Sequence, residues 1–400
     1  MIKKIILKLF TKVDKNIVYI SSFGGKYSDS PKYISQQIYK IDKTKQIYWL
    51  IDDLENKSIP NYVKIVKKNS WQEMKLQYKA KIIIDNVYGC KSSTLNSNSL
   101  KNKIEYIISK WIKYKKNQKI YTTWHGTPLK KMGRDQIGNK TIDWSCPNTT
   151  MILGNKYTLR IMDRITFGKL NMKLIGIPRN DILFDNNINI EKIKQRLNLP
   201  LNKKILLYAP TFRTDAGSKS QNIERSGLNQ INEFNFTRLN DILKSCFGGD
   251  WAFVCRFHYH VEKKVDWENI NKKYDNMVIN GNQCEDMAEY LKCADILITD
   301  ISSSIFDFCL TKKPSFIYFP DLNYYATQER GLYLDINSLP FQVATNIQEL
   351  ENNIINFKEK NYIKKVEKFN NKLEYVNLNS NSSKKIAEFI LEDSKSDSKI

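Results

Sequence analysis

Short apolar runs that end in turn residues recur along the chain, as in buried strands of parallel sheets. The strands predicted from them are 17–21, 46–51, 80–85, 120–124, 205–208, 252–256, 295–299 and 315–319. Segments with helical spacing, such as 190–197 and 284–291, lie between some of these runs. This alternation predicts an α/β fold in which crossover helices cover parallel sheets.

A polar segment near residues 186–203 separates two such α/β halves. It contains a short polar helix and the pair Leu199-Pro200, and a new strand follows directly. We therefore predict one domain over 1–188, a second over 189–391 and a polar tail over 392–400. Ser382 and Ser383 are predicted to cap the last helix of the second domain.

The chain has 400 residues, of which 41% are apolar, so it can bury the cores of two ordinary domains. Lys and Arg number 64 against 42 Asp and Glu, which gives a formal charge of +22. Such a charge predicts attraction to a polyanion. Nucleic acid, an anionic membrane surface and phosphate-bearing molecules all satisfy it.

The seven cysteines are scattered and form no C-x-x-C pair, which argues against a zinc site or a disulfide framework. A reducing compartment is therefore expected. No stretch approaches the roughly 20 apolar residues of a membrane span. Lys8 interrupts the opening apolar segment before a signal-peptide core could form, so we expect a cytoplasmic protein.

Two basic segments have amphipathic helical patterns. In the first, lysines alternate with an apolar face made of Ile2, Ile5, Ile6, Leu9 and Phe10. In the second, over 101–119, lysines surround another apolar face. Such helices dock on anionic membrane surfaces, so peripheral membrane binding is one interpretation. The other is that both helices cover the sheet and expose their lysines to water.

The strand at 120–124 ends at His125 and turns at Gly126, and Thr127 with Pro128 reads as the start of a helix. Ligands of open α/β sheets bind at the carboxyl ends of the strands. Histidine has an unperturbed pKa of about 6.5 and can accept a proton from an attacking hydroxyl near neutral pH. His125 is therefore a candidate general base, although a strand-end histidine is more often a packed or surface residue.

The strand at 252–256 leads into the other two histidines. A period of two predicts that Val254, Arg256, His258 and His260 share one face. Arg256 can bind phosphate oxygens with its forked guanidinium, and His258 can donate to the same group. His260 is expected to be peripheral.

Three more segments end strands with groups that could bind an anion. Ser302 and Ser303 fall at a predicted helix start, where phosphates bind, although ordinary N-capping is the favoured explanation when this segment is taken by itself. The segment 208–214 carries Arg213 and 175–181 carries Arg179. Each arginine either faces a ligand or is a solvated surface charge.

At these segments the chain resembles the CDP-glycerol glycerophosphotransferase family of teichoic acid and capsule assembly. The matching stretches are Ser-Ser-Phe-Gly-Gly-Lys-Tyr-Ser-Asp at 21–29, Trp-His-Gly-Thr-Pro-Leu-Lys at 124–130, Gly-Ile-Pro-Arg-Asn-Asp at 176–181, Tyr-Ala-Pro-Thr-Phe-Arg at 208–213, Arg-Phe-His at 256–258, the run 296–307 and Glu-Arg-Gly-Leu-Tyr at 329–333. The resemblance implies an α/β GT-B fold, in which two Rossmann-like domains face a cleft. The nucleotide is then expected mostly on the C-terminal domain, and the acceptor on the N-terminal one.

The resemblance also implies roles for single residues. His125 matches the catalytic base, and His258 the second essential histidine, near the pyrophosphate. The chain departs from the family at Tyr259, where proline is usual, and at Ile301, where tyrosine is common. Together with the two loop arginines, the predicted donor-binding residues are Trp124, Gly126, Thr127, Pro128, Arg179, Pro210, Thr211, Arg213, Arg256, Phe257, Ser302, Ser303 and Asp307.

The expected reaction is transfer of glycerol phosphate from CDP-glycerol to a hydroxyl of a lipid-linked glycan, teichoic acid or capsule acceptor, with release of CMP. It is expected at the cytoplasmic face of a bacterial membrane, with the protein bound peripherally. No D-x-D motif stands at these strand ends, so we expect no metal requirement and no cofactor.

Three alternatives remain open from the sequence. The donor could be CDP-ribitol, or a nucleotide sugar used by a glycosyltransferase of the same fold. A basic nucleic-acid-binding protein would explain the net charge, but it predicts lysines interleaved with aromatics in one stripe, and here the lysines are dispersed. We therefore expect no nucleic-acid partner. The sequence leaves the oligomeric state open.

Overall fold

The computed structural model of the chain divides into two compact units, called here unit 1 and unit 2. Unit 1 comprises Met1–His125, Asn139–Asp181 and Glu374–Ile400, and unit 2 comprises Gly126–Gly138 and Ile182–Leu373. The structure describes residues 2–56, 58–87, 114–136, 148–214, 221–222, 227–325 and 331–396.

Unit 1 is built on one sheet of seven parallel strands. The strands are β1 Asp14–Ile20, β2 Gln46–Ile51, β3 Val63–Lys67, β4 Ala80–Asp85, β5 Lys119–Thr122, β6 Thr149–Leu153 and β7 Asn171–Leu174. Their order in the sheet is β3-β2-β1-β4-β5-β6-β7, and every neighbouring pair is parallel. The central strands are apolar and buried, as in a sheet that is covered on both faces.

Apolar layers lie on both faces of this sheet because successive strand residues point in opposite directions. Even-numbered residues of β1 pack in one layer with Ile34 of helix Asp29–Ile41. Odd-numbered residues pack in the other layer with Leu76 of helix Trp71–Lys79. The described helices of unit 1 are Ile2–Phe10, Asp29–Ile41, Trp71–Lys79, Lys156–Thr166 and Ser382–Asp393, with a 3₁₀ turn at Pro178–Asn180.

Unit 2 contains a second parallel sheet, of six strands. Its strands, including a separate two-stranded ribbon, are β8 Lys204–Ala209, β9 Arg213–Thr214, β10 Gln221–Asn222, β11 Trp251–Cys255, β12 Val278–Asn280, β13 Ile296–Thr299, β14 Ser315–Tyr318 and β15 Gln342–Ala344. The order in the main sheet is β12-β11-β8-β13-β14-β15, all parallel. The ribbon pairs β9 with β10 in antiparallel fashion.

One large apolar core covers a face of this second sheet. It joins Tyr208 and Phe253 from the strands to Leu239 and Leu243 of helix Phe236–Phe247. The described helices of unit 2 are Ile190–Arg196, Asn229–Glu233, Phe236–Phe247, Tyr259–Glu262, Trp267–Lys273, Met287–Cys293, Ser304–Phe308, Leu322–Tyr324, Ile347–Ile355 and Glu359–Leu373, with 3₁₀ turns at Gly133–Asp135, Cys309–Thr311 and Ile336–Ser338. Helix Asp181–Phe184 continues from unit 1 into unit 2.

The two sheets share one strand order. When the strands of each sheet are numbered in chain order, both sheets have the spatial order 3-2-1-4-5-6, and unit 1 adds a seventh strand at the end. This is the order of the Rossmann fold. The prediction of an α/β fold with parallel sheets is confirmed. Among the strands that the sequence did not predict, β3 and β7 carry lysines and asparagine, and β12 and β15 have only three residues each.

Besides residues 182–188, which fall in unit 2, two segments group differently from the predicted domains 1–188 and 189–391. Residues 126–138 belong to unit 2, and helix Ser382–Asp393 belongs to unit 1, where it packs on helix Asp29–Ile41. Asp181 accounts for the second difference, because its buried carboxylate accepts the N–H groups of Ser382 at 3.0 Å and Ser383 at 2.7 Å. The helix start is thus capped by a distant carboxylate. The prediction that the two serines cap it is wrong, because the Ser383 hydroxyl donates to Asp181.

The first basic amphipathic segment forms helix Ile2–Phe10, as predicted. Leu7 is buried against Tyr78, and Ile5 packs against them, whereas Ile2, Ile6, Leu9 and Phe10 are exposed, Phe10 to 81%. Most of the second segment, 101–113, lies outside the described residues. Within the part of the chain that the structure describes, no helix has the length and apolar character needed to span a membrane.

Candidate active site

The strand order of unit 1 reverses between β1 and β4, the position at which open α/β sheets bind ligands. Asn86 directly follows β4 and is fully buried there. Its side-chain oxygen accepts the Phe23 N–H at 2.9 Å, and its amide nitrogen donates to the Ser22 hydroxyl at 3.1 Å. Asn86 therefore holds the loop after β1 at the carboxyl edge of the sheet.

His125 follows β5, next to β4, where the backbone turns sharply. Trp124 has φ 53° and Gly126 has φ 139°, a conformation that favours glycine. The His125 Nδ1 lies 2.9 Å from the carbonyl oxygen of Asn86. Because a carbonyl oxygen only accepts hydrogen bonds, Nδ1 carries the proton and Nε2 of the neutral ring keeps its lone pair. This tautomer can take a proton at Nε2.

Two aromatic side chains flank the imidazole of His125. The ring of Trp124, which is buried, lies 4.2 Å away between centroids, and the ring of exposed Phe23 lies 6.0 Å away. These contacts and the bond to Asn86 fix the direction in which the ring points. Trp124 thus lies beside the predicted base, as the motif implied.

The prediction that Thr127 and Pro128 begin a helix is wrong. Lys130 instead pairs with Leu332 as an antiparallel bridge, and backbone hydrogen bonds extend this pairing on both sides. The Lys131 N–H, which would bind the Thr127 carbonyl in a helix, donates instead to the Gly331 carbonyl, and the Leu129 carbonyl accepts the Tyr333 N–H. Thr127 is buried in this arrangement.

Arg179, a predicted donor-binding residue, forms a buried ion pair in unit 1. Its Nη1 lies 3.2 and 3.3 Å from the two carboxylate oxygens of Asp29, and each side chain is at most 10% exposed. The alternative of a solvated surface charge is therefore wrong. The ion pair connects the end of segment 139–181 to the first turn of helix Asp29–Ile41, and both belong to unit 1.

In unit 2 the strand order reverses between β8 and β13, and β11 flanks β8 on its other side. The three predicted phosphate-binding motifs follow these three neighbouring strands. Because parallel strands end at the same edge, the motifs come together there. Pro210 and Phe257 both pack against Gly227, where an added Cβ would lie 2.6 Å from Pro210 and 2.8 Å from Phe257.

Asp300, which directly follows β13, joins two of these motifs. Its carboxylate accepts the Thr211 N–H at 2.9 Å, the Thr211 hydroxyl at 2.6 Å and the Arg213 Nη2 at 2.8 Å. Arg213 also donates to Asp321 at 3.1 Å and to the Thr211 carbonyl at 2.7 Å. Burial alone would raise the pKa of Asp300, but Arg213 and the Thr211 bonds outweigh it and hold the pKa below its usual value.

Arg213 is therefore a buried partner of two carboxylates and no solvated charge. Only 2% of its side chain is exposed, and Phe319 and Tyr325 cover the guanidinium at 5.2 and 5.3 Å. Burial lowers its pKa, but Asp300 and Asp321 reverse this and raise the pKa overall. Arg213 thus orders the loop after β8.

Arg256 binds backbone carbonyl groups of the loop after β12. Its Nη1 donates at 2.6 Å to Gly281 and at 2.6 Å to Cys284, and its Nη2 donates at 3.1 Å to Glu285. Asn282, in the same loop, accepts the Phe257 N–H at 3.0 Å and donates to the Phe257 carbonyl at 2.6 Å. Arg256 and Asn282 together fix the backbone that leads to His258.

The prediction that a strand carries Arg256, His258 and His260 on one face is wrong, because β11 ends at Cys255 and Tyr259–Glu262 is a helical turn. His258 caps this turn and is exposed, although Phe212 stacks on its ring at 4.2 Å. Partial desolvation and, to a lesser degree, the neighbouring charge of His260 lower the pKa of His258.

Ser302 and Ser303 follow β13 at the same edge as His258. Helix Ser304–Phe308 begins with Ser303 as its N-cap, but the Ser303 side chain makes no capping bond. The Ser302 hydroxyl accepts from the Ser304 N–H at 3.3 Å and from its hydroxyl at 2.9 Å. Asp307 is buried one turn further along the helix.

Sequence reasoning missed Asn86, Asn282 and Asp300. Each directly follows a strand end or lies within two residues of one, and position relative to the strands is the signal that could have identified them. Among the described residues, no group of three His, Cys, Asp or Glu side chains has metal-binding geometry. The described cysteines carry free thiols.

The chain matches one protein family over nearly its whole length. Residues 2–392 match the model of the CDP-glycerol:poly(glycerophosphate) glycerophosphotransferase family. A teichoic acid glycerol-phosphate transferase of Staphylococcus aureus is 30% identical over 85% of this chain and 83% of its own length. A teichoic acid poly(glycerol phosphate) polymerase of Staphylococcus epidermidis is 28% identical over 95% of this chain, which spans about half, 51%, of that protein.

A solved structure matches over both units. The wall teichoic acid polymerase TagF superposes with a TM-score of 0.75 at 26% identity, covering 98% of this chain and 93% of that one. The predicted GT-B-like fold of two Rossmann-like domains and the predicted transferase class are confirmed. The chain belongs to the CDP-glycerol:poly(glycerophosphate) glycerophosphotransferase family.

Proposed function

We propose that this chain transfers glycerol phosphate from CDP-glycerol to a hydroxyl of a lipid-linked glycan, teichoic acid or capsule acceptor and releases CMP. The observation that carries the proposal is the hydrogen bond between His125 Nδ1 and the Asn86 carbonyl, which puts the ring proton on Nδ1 and makes Nε2 the basic nitrogen. The family and the relatives named for teichoic acid support the donor and the acceptor.

In the proposed reaction the acceptor oxygen attacks the phosphorus that bears glycerol. The acceptor proton passes to His125 Nε2, the new P–O bond forms, and the bond to CMP breaks in line. Phosphoryl transfer depends mainly on positioning and charge neutralisation. CMP leaves as a phosphate monoester with a second pKa of about 6, so a strong general acid is not required.

Residues of unit 2 are proposed to bind the diphosphate of the donor. Arg213 is enclosed by two carboxylates, which makes it a poor phosphate ligand. Better candidates for binding the diphosphate are His258 and the hydroxyls of Ser302 and Ser303. Arg256 is a further candidate, through the guanidinium N–H groups that do not bind the backbone carbonyls. We expect no metal requirement, and CMP release should then persist after treatment with EDTA.

CDP-ribitol is the alternative donor. A polymerase of Staphylococcus aureus named for ribitol phosphate matches only 54% of this chain, whereas the transferase named for glycerol phosphate matches 85%. The longer match favours glycerol. CMP release should be measured with CDP-glycerol, CDP-ribitol and a nucleotide sugar in parallel, with mass spectrometry of a lipid-linked acceptor. An added mass of one glycerol phosphate supports the proposal, and turnover of the nucleotide sugar alone would contradict it.

We also propose that helix Ile2–Phe10 docks the protein on the anionic cytoplasmic face of the bacterial membrane. Its exposed apolar face is made of Ile2, Ile6, Leu9 and Phe10, and lysines border it. Basic residues near an anionic leaflet contribute about 1 kcal/mol each, in addition to apolar burial.

Vesicles test the docking. Binding to phosphatidylglycerol vesicles should exceed binding to neutral ones, and the double variant Ile6→Ser, Leu9→Ser should weaken it. Ile41→Ser is the matched control, because Ile41 is also exposed in unit 1 but lies on another helix. Equal loss of binding in the control would contradict a role for the first helix.

A further inference from the structure

Asp300 engages both hydrogen atoms that Thr211 can donate. The Thr211 N–H and hydroxyl point to its carboxylate at 2.9 and 2.6 Å. Asp300 is buried, and an ionised carboxylate only accepts hydrogen bonds. The direction of the short bond is therefore fixed, with the Thr211 hydroxyl as donor and Asp300 as acceptor.

The rest of this network keeps Asp300 ionised. Arg213 donates to Asp300 at 2.8 Å and to Asp321 at 3.1 Å, and it also binds the Thr211 carbonyl at 2.7 Å. Burial raises the pKa of Asp300, but Arg213, the two Thr211 bonds and the charge of Lys130 together hold this pKa below its usual value. A neutral carboxyl, which could donate to Thr211, is thus disfavoured.

Thr211 consequently offers a ligand only the lone pairs of its hydroxyl oxygen. Its N–H, its O–H and its carbonyl group are all engaged within unit 2, while the residue, which lies in the loop after β8, remains partly exposed. Phosphate oxygens that carry negative charge have no hydrogen to donate. A hydroxyl of a ligand does.

We propose that Asp300 makes Thr211 a hydrogen-bond acceptor, so that the group recognised there is a hydroxyl of the donor nucleotide and not its diphosphate. Asp300 is then a positioning residue and Thr211 a specificity-determining one. This inference rests on the proposed function. The hydroxyl can come from the glycerol or from the ribose of CDP-glycerol, and the chemistry at Thr211 is the same for both.

Binding measurements without acceptor test this assignment, with CDP-glycerol, CDP and 2′,3′-dideoxy-CDP as ligands. Thr211→Val keeps the shape of the side chain but removes the hydroxyl. One lost hydrogen bond should raise the dissociation constant roughly 3- to 10-fold for a ligand with the recognised hydroxyl. If Thr211→Val weakens binding of CDP-glycerol alone, the recognised hydroxyl belongs to the glycerol. If it weakens binding of CDP-glycerol and CDP, but not of the dideoxy nucleotide, the hydroxyl belongs to the ribose.

Two outcomes would overturn the inference. One is equal weakening of all three ligands by Thr211→Val, as expected for a phosphate contact. The other is no weakening of any ligand. Wild-type protein that binds none of the three would overturn the proposed function itself, and this inference with it. Thr211→Ser keeps a hydroxyl and should bind as the wild type does.

Asp300→Asn provides a second test, and circular dichroism checks its folding first, because the change also weakens the buried ion pair with Arg213. An amide nitrogen at 300 can donate to Thr211 and occupy its lone pair, so the hydroxyl-dependent affinity should again fall. Asp295→Asn is the matched control. Asp295 precedes β13 as Asp300 follows it, and it accepts the Ile205 N–H of β8 at 2.9 Å. The control should keep wild-type affinities, and an equal loss in it would contradict the inference.

Discussion

The two units have the same strand order but place different groups at the point where that order reverses. In unit 1 they are the Ser22 hydroxyl, the Asn86 side-chain amide and the His125 imidazole, joined by hydrogen bonds. In unit 2 they are charged, since Asp300 and Asp321 enclose Arg213. The shared fold supplies the position, whereas the side chains supply the chemistry.

The difference suggests a division of labour. A neutral imidazole held by a carbonyl group is suited to accept a proton. A buried network of charges changes little in protonation near neutral pH, and it can hold a loop rigidly for ligand binding. We therefore expect changes in unit 1 to reduce kcat and changes in unit 2 to reduce affinity or stability.

Replacement of His125 should have the largest effect. General base catalysis contributes roughly 10²- to 10⁴-fold in rate, so His125→Ala should lower kcat for CMP release by that factor with little change in KM for the donor. His258→Ala should raise KM. His260→Ala serves as the control, with turnover close to wild type. Comparable turnover of the His125 and His260 variants would contradict the assignment of His125 as the general base.

Breaking the charged network of unit 2 should mainly cost stability. Arg213→Met leaves two carboxylates without their shared cation, and loss of one partner of a buried ion pair costs about 3–5 kcal/mol in the free energy of unfolding. Lys312→Met is the control, because the Lys312 side chain is 49% exposed and pairs with Glu367, which is 48% exposed, at the surface of unit 2. Urea unfolding that gives equal losses for both variants would contradict the distinction.

Some of this organisation could be predicted from the sequence. The central strands are continuous apolar runs, and the histidine motifs stand directly after them, so fold class and edge of the sheet follow from local pattern. Edge strands such as β7 were missed because an exposed edge tolerates Asn and Lys. Their pairing is set by the neighbouring strand.

The partners of the site residues could not be predicted. Arg179 pairs with Asp29, 150 residues earlier, and Arg213 with Asp300, 87 residues later. The cap signal at Thr127 was local, but pairing of Lys130 with Leu332 overrode it. Sequence pattern identifies a charged residue at a strand end, but only tertiary packing decides whether it faces a ligand or another side chain.

Changes in the hydrogen-bonded network of unit 1, made of Ser22, Asn86 and His125, should have smaller effects, and these effects should reach both stability and kcat. Asn86→Ala removes the donor to the buried Ser22 hydroxyl and the acceptor of the Phe23 N–H, and loss of a buried hydrogen-bond partner costs about 1–3 kcal/mol in unfolding free energy. The Asn86 carbonyl that binds His125 Nδ1 is a main-chain group, which the substitution keeps. Without the side-chain bonds its position is less firmly held, so kcat should fall modestly while KM for the donor stays the same. Asn171→Ala is the control, since Asn171 is exposed but bonds the Thr150 hydroxyl in the same sheet. A rise in KM without loss of kcat would contradict the division between units.

The smallest effect concerns the pH dependence of unit 2. The pKa of His258 is lowered, first by desolvation and then by His260, so the unfolded chain binds more protons between that lowered pKa and about 6.5. Stability should therefore decline as pH falls through this window, and His258→Gln should remove that part of the decline. His260→Gln removes only the second cause and should move the pKa of His258 part of the way back up. NMR titration of the ring protons measures both shifts, and a His258 that titrates at or above 6.5 in the wild type would show that Phe212 does not desolvate it.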